Sequence, residues 1–255
     1  MQRTQLARTT LLALAFTASL TLTARPGVAR SESGPNDPPA SSNKGKWTTL
    51  FDGKNFTGWH IYNKPGQPIS APWVIQDGAM YLGQKSKDGP AGGDVVSDKE
   101  YGNFELEIEW KISEGGNSGI MYHVNEDPKF RAPYYTGPEV QVLDNDRHPD
   151  AKAGRDGNRT AGCLYDMLPP GDRTAVKPVG DWNKVRLVVD KGRAQQYLNG
   201  KLMADYPTSG PEWDKLVAES KFKSWASFGK FTTGRIALQD HGNPVWFRNI
   251  RIREL

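Results

Sequence analysis

The chain has 255 residues, with 33 basic and 29 acidic side chains, 10% aromatic content and a single cysteine, Cys163. Residues 1–30 hold Arg3, Arg8, Arg25 and Arg30 and no acid, so the remainder balances at 29 basic against 29 acidic residues. That balance argues against a nucleic-acid binder, which needs a basic footprint, and the lone thiol excludes an intrachain disulfide framework.

Residues 1–30 read as a secretory signal: a basic start, an apolar run from Leu11 to Leu22, and small residues ending near Gly27-Val28-Ala29. The apolar run falls short of the ~20 residues that span a bilayer. With no cysteine near the cleavage region to carry a lipid, the expectation is a secreted or periplasmic protein without a transmembrane segment. Residues 31–46 are polar and proline-rich without apolar periodicity, which predicts a flexible tether. A single domain is expected over 47–255.

From Trp47 onward the pattern is mostly β. Trp73–Gln76 and Ala79–Leu82 flank Asp77-Gly78, a hairpin signal. Phe104 to Ile112 alternates, with Phe104, Leu106, Ile108, Trp110 and Ile112 on one face and Glu105, Glu107, Glu109 and Lys111 on the other. Further runs are Ile120–Val124, Val140–Leu143, Val185–Val189 and Ala194–Leu198, the last turning at Asn199-Gly200 into Lys201–Tyr206. One helix is predicted from Pro211, with acidic Glu212 and Asp214 in its first turn and Trp213, Leu216 and Val217 on one face. Two closing runs, Ile236–Leu238 and Val245–Ile252, meet at the corner Gln239-Asp240-His241-Gly242. Many short strands, frequent turns and one short helix predict an all-β antiparallel sandwich.

Several constellations offer chemistry. The Glu105, Glu107, Glu109 face suits either a paired-carboxylate glycosidase or a solvated strand face. Glu139 and Gln141 alternate on a strand after the aromatic Tyr134-Tyr135 loop, a combination suited to sugar stacking and hydroxyl recognition. Tyr165 follows the long polar segment Asn145–Thr160, which reads as a rim or a lid. Among the four histidines, His60 reads as structural or surface and His148 as solvated, while His123 either faces a cleft or fills a satisfied polar spot. His241, beside Asp240, Gln239 and Arg248, is the histidine best placed for function. No HExxH, phosphate loop, cysteine-based zinc spacing or nucleophile elbow is present.

Leu50-Phe-Asp-Gly-Lys-Asn-Phe-Thr-Gly-Trp59, Gly116-Asn-Ser-Gly-Ile120, Glu139-Val-Gln-Val-Leu-Asp144, Trp182-Asn183 and the closing Leu238-Gln-Asp-His-Gly with Val245-Trp-Phe-Arg-Asn-Ile-Arg-Ile252 resemble the 3-keto-disaccharide hydrolase family over about residues 46–255. The resemblance implies a concanavalin A-like jelly-roll sandwich of two curved antiparallel sheets, with a carbohydrate cleft. It also implies cleavage of glycosidic bonds in sugars already oxidised at C3, so the expected partner is a 3-keto-glycoside. A C3 ketone acidifies the C2 proton, so elimination at C1 followed by hydration needs a base at C2, an acid at the glycosidic oxygen and stabilisation of the enolate. The enolate could be held by hydrogen-bond donors or by a divalent metal ion. The expected catalytic residues are His241 or His123 as base, with Glu139 as acid/base partner or metal ligand. Asn117, Gln141, Gln239 and Arg248 are expected to bind hydroxyls, with Tyr165 as an auxiliary donor. Asp240 either orients His241 or caps the turn. A non-catalytic carbohydrate-binding module and a carboxylate glycosidase remain the competing readings.

Overall fold

The structure, a computed structural model, describes residues 45–84 and 92–255. The predicted signal and residues 31–44 of the tether lie outside the described residues. Gly45, placed in the tether by its composition, donates its amide to the Glu254 carbonyl (2.9 Å), so the paired chain begins slightly before residue 47.

In chain order the strands are β1 (Thr48–Phe51), β2 (Trp59–Ile61), β3 (Trp73–Gln76), β4 (Ala79–Leu82), β5 (Val95–Ser97), β6 (Phe104–Ile112), β7 (Asn117–Val124), β8 (Glu139–Leu143), β9 (Asn183–Asp190), β10 (Arg193–Leu198), β11 (Lys201–Pro207), β12 (Arg235–Leu238) and β13 (Val245–Glu254). The helix α1 spans Pro211–Ala218. An eight-stranded antiparallel sheet runs β11-β10-β9-β6-β13-β4-β3, with β1 paired to the far half of β13; a five-stranded sheet runs β2-β5-β12-β7-β8. The expected sandwich is therefore present. Asp77 (φ 51°) and Gly78 (φ 73°) both take the left-handed conformation that a two-residue hairpin turn requires.

The apolar face of β6 (Phe104, Leu106, Ile108, Trp110, Ile112) meets Ile120, Tyr122, Val140, Val142, Ile236 and Leu238 from the smaller sheet, in one buried core. Trp213 of α1 is 1% exposed and stacks on Tyr206 and Phe228, with ring centroids 6.0 and 6.3 Å apart. Cys163 is buried, its thiol directed at the Asn158 carbonyl.

The closing runs meet at the expected corner but belong to different sheets. They do not pair with each other: β12 lies in the five-stranded sheet and β13 in the eight-stranded one, so the corner at 239–244 carries the chain from one layer to the other. Outward-facing residues on β12 and β13 that are close in sequence consequently lie on opposite faces of the sandwich, while Leu238 and Val245 share the core.

Candidate active site

The site is built on the outer face of the five-stranded sheet. Register sets the rows: His60 pairs with Val96, Val96 with Ala237, Ala237 with Met121 and Met121 with Glu139. In the adjoining row Gly119 faces Gln141, and Gln239 donates its amide to Gly119 (2.9 Å). Alternation thus gathers Asn117, Glu139, Gln141 and Gln239, all buried, on one surface. β8 is not a free edge. Gln141 donates its amide to the Cys163 carbonyl, Gly162 donates to Gln141, and Tyr165 donates to Glu139 (3.2, 2.8 and 3.0 Å).

A cleft of about 630 Å³ opens over this surface. Its floor holds Asp94, Asn117, Glu139, Gln141 and Gln239; Tyr134, Tyr135 and Trp225 form one wall, Tyr165 and Lys221 another, and His241 stands at the rim. Tyr135 stacks on Trp225 (4.8 Å, 28°) and on Tyr134 (5.1 Å, 30°), giving the amphipathic aromatic surface that sugar rings favour. Trp225→Ala is expected to raise KM for a glycoside about tenfold, equal to ~1.4 kcal/mol of lost contact, with kcat little changed. An unchanged KM by steady-state kinetics would remove the wall from substrate binding.

Gly119 is where the carboxyl lies. A Cβ there would stand 1.9 Å from Glu139 Oε1, so the Glu139 side chain runs across the strand through space that only glycine leaves open. Burial pushes the Glu139 carboxyl up to about 8, with the Lys221 charge opposing the shift and Asp94 and Asp150 adding to it. Burial thus favours the protonated form of Glu139. Asn117 Oδ1 is buried without a partner among the described residues, an acceptor ready for a ligand hydroxyl.

Asp240 caps the turn: Oδ2 accepts from Gly93 (2.8 Å) and Oδ1 from Gly242 (3.0 Å), while its own amide is held by Asp94 Oδ1 (2.8 Å). The corner presenting His241 is therefore fixed by hydrogen bonds to the 93–94 segment. His148, expected to be solvated, is half-buried with its ring edge-on to His241 (5.9 Å). Its Nδ1 accepts from the Asp150 amide (3.2 Å), which leaves the proton of the neutral ring on Nε2. Burial first, then the neighbouring His241, lowers its affinity for a second proton.

Two expected residues lie elsewhere. Strict alternation from Asn117 through Gly119 and Met121 would put His123 on the cleft face. A bulge intervenes: β7 places two residues opposite one of β12 between the pairs Met121–Ala237 and Val124–Arg235, with His123 at φ 50°. Its Nε2 bonds the Gly102 carbonyl (2.8 Å) and its ring packs edge-on against Phe104 and Tyr122, filling the satisfied polar spot. Burial lowers its basicity. Arg248 sits on the outer face of the larger sheet, bonded to Glu109 Oε2 (2.8 Å) and 3.8 Å over the Trp182 ring, on the far side of the sandwich from the cleft.

The glutamate face of β6 lies on that same far side. Glu105 pairs with Arg186 (2.5 Å) and Arg253 (2.5 Å), Glu107 with Arg251 (2.5 Å) and Lys184 (3.0 Å), and Glu109 with Arg248. A hollow of about 440 Å³ opens beside Glu107 and Glu109, but charge-compensated carboxylates there offer no acid and base pair, which withdraws the carboxylate-glycosidase reading of this strand.

Tyr165 lines the cleft with its ring, but its hydroxyl is already donated to Asp150 Oδ2 (2.7 Å), so it is a wall rather than a free donor. Gln141 reaches the Arg159 carbonyl through Nε2 (3.5 Å) and accepts from the Val142 amide (3.1 Å). Sequence reasoning missed Asp94, Lys221 and Trp225. The available signal for the last two was an aromatic and a lysine in the short 221–225 segment, where Ser220 caps a 3₁₀ turn by accepting from the Phe222 amide (3.1 Å).

A β-sandwich with an aromatic-walled polar cleft on one sheet, an acid on its floor and an imidazole at its rim has the make-up of a carbohydrate-active, hydrolase-like protein. The chain belongs to the 3-keto-alpha-glucoside-1,2-lyase-like family, whose model matches residues 46–253. It is 41% identical over 231 residues to a 3-keto-disaccharide hydrolase from Bacteroides thetaiotaomicron, covering 82% of this chain and 78% of that one. Among solved structures it is similar to two candidate glycosyl hydrolases from Parabacteroides distasonis. The first has 35% identity and a TM-score of 0.72 over 82% of this chain and 94% of that one. The second has 26% identity and a TM-score of 0.59 over 82% and 100%.

Proposed function

We propose that this is an exported enzyme that cleaves the glycosidic bond of 3-keto-glycosides by removing the C2 proton, eliminating the C1 substituent and adding water. The observation that carries the reading is the Glu139 carboxyl, kept protonated by burial on the floor of an aromatic-walled cleft. Such a group can give its proton to the departing glycosidic oxygen at neutral pH. His241, at the rim of the same cleft, takes the C2 proton. Asn117, Gln141 and Gln239 face the sugar hydroxyls from the floor. Family membership supports the substrate class, and the pattern of residues 1–30 supports export.

A divalent metal at the enolate finds no three-ligand set: among the described residues no group of three or more His, Cys, Asp or Glu side chains could hold an ion. No step of this mechanism is routed through a metal.

The test is a paired-substrate assay. Purified protein should release the aglycone from a 3-keto-glucoside and leave the unoxidised glucoside intact. His241→Ala is expected to slow this turnover by about 10²–10⁴-fold; full activity in that variant would remove His241 as the base. Binding of the 3-keto-glucoside without turnover would instead mark a carbohydrate-binding module, the reading that the aromatic wall alone would favour.

A further inference from the structure

Lys221 is the lysine that lines the cleft. Its position is fixed locally: its amide is donated to Asp166 Oδ2 (2.6 Å), the Ser220 cap holds the turn, and the next residue, Phe222, is buried in the core. Nζ lies 4.1 Å from the centre of the Tyr165 ring and 5.3 Å from that of Phe222. Two nearby acids, Asp150 and Asp166, have other partners. Asp150 takes Tyr165 Oη and Arg159 Nη1, and Asp166 takes Arg159 Nε and the Lys221 amide. Desolvation lowers the affinity of this amine for a proton; Glu139 opposes that shift and the Arg159 cation adds to it. The ring contacts hold Nζ in place, while its burial beside the Arg159 cation favours the neutral amine, the form that attacks carbonyls.

We propose that Lys221 Nζ condenses with the C3 ketone of the bound sugar, so that elimination runs through a lysine imine. The inference rests on the ketone substrate proposed above. The condensation balances without an added proton: ammonium and ketone give an iminium and one water, as the N–C3 bond forms and the carbonyl oxygen leaves with two of the nitrogen's protons. His241 then takes the C2 proton, and the C–H electron pair forms C2=C3 while the C=N π pair moves onto nitrogen. The resulting enamine returns its electrons, forming C1=C2 and breaking the C1–O bond, and Glu139 protonates the departing oxygen. Hydrolysis of the conjugated iminium by water restores the ketone and the lysine. An iminium is a stronger electron sink than a ketone, which gives the cleft a means of acidifying C2–H from its own side chains.

The experiment is reductive trapping with the full chain, a 3-keto-glucoside and sodium cyanoborohydride, read by intact mass and peptide mapping. One reduced sugar ring is expected on Lys221, accumulating more in Glu139→Gln, where departure of the C1 group is slowed. None is expected with the unoxidised glucoside or in Lys221→Met. Lys221→Arg keeps the charge and is expected to lose at least about a thousandfold in kcat/KM, with circular dichroism reporting its fold. Turnover with no adduct on Lys221, or Lys221→Arg within tenfold of the native rate, overturns the imine and leaves the proposed function standing. A wild-type protein that neither turns over nor is trapped overturns both.

Discussion

Glu139→Gln is expected to lower kcat/KM on a 3-keto-glucoside by about 10²–10⁴-fold, the range for loss of a positioned general acid, while changing side-chain volume hardly at all. Its pH behaviour separates it from a generic loss. The native carboxyl, pushed up to about 8, must hold its proton, so native kcat/KM should fall as pH rises past that value. The residual rate of the glutamine variant should lack that fall. If the alkaline limb survives in the variant, the titrating acid is another group.

The same substitution should change stability with a defined sign. The folded-state pKa of Glu139 lies above the ordinary glutamate value of 4.5, so between about 5 and 8 the folded protein keeps a proton that the unfolded chain has released. Proton binding by the folded state means that stability falls as pH rises through this window, by up to about 1.4 kcal/mol per pH unit. An amide has no such dependence. Urea unfolding at pH 5 and pH 8 should therefore show the glutamine variant gaining on the native protein at the higher pH, and a difference that does not grow with pH would contradict a buried, neutral Glu139.

Gly119→Ala should damage activity nearly as much without touching a polar group. The added methyl would stand 1.9 Å from Oε1, 2.6 Å from Cδ and 2.9 Å from Cγ of Glu139. Gly119 is not among the left-handed residues, so alanine suits the strand, and the three atoms nearest the added methyl all belong to the glutamate. Expelling a side chain costs less than breaking a sheet; an overpacking loss of about 1–3 kcal/mol should leave the fold intact while kcat drops about a hundredfold. Because both changes act on one carboxyl, Gly119→Ala combined with Glu139→Gln should be no slower than Glu139→Gln alone. Additive losses would mean that Gly119 serves the cleft by some other route.

How much of this is legible in the sequence depends on whether a residue's place is set locally. The β6 alternation, the Asp77-Gly78 hairpin and α1 behind Pro211 follow from period and turn chemistry, and all three occur at the expected positions. Glu139, Gln141 and Gln239 are legible for the same reason, as polar members on or next to strands whose partners are apolar. His123 is ambiguous because one extra residue in a bulge reverses the face of everything around it. Arg248 is misplaced because nothing in 239–244 announces that the chain changes sheets there. The short strands β2 and β5 owe their existence to neighbours across the sheet rather than to their three residues each. Lys221 and Trp225 reach the cleft only because the turn after α1 packs Phe222 edge-on against Tyr165, 6.4 Å between ring centres.

The pairing of the 162–165 segment with β8 has a consequence for how the protein tolerates change. A surface loop of sixteen residues such as 145–160 would ordinarily accept insertions, since lengthening a loop costs little chain entropy. Here the loop's far end is hydrogen-bonded to the very residues that carry the acid and its neighbouring amide. Added length that relaxed this pairing would turn β8 into a free edge, so insertions here should be tolerated less than in an ordinary surface loop of this size.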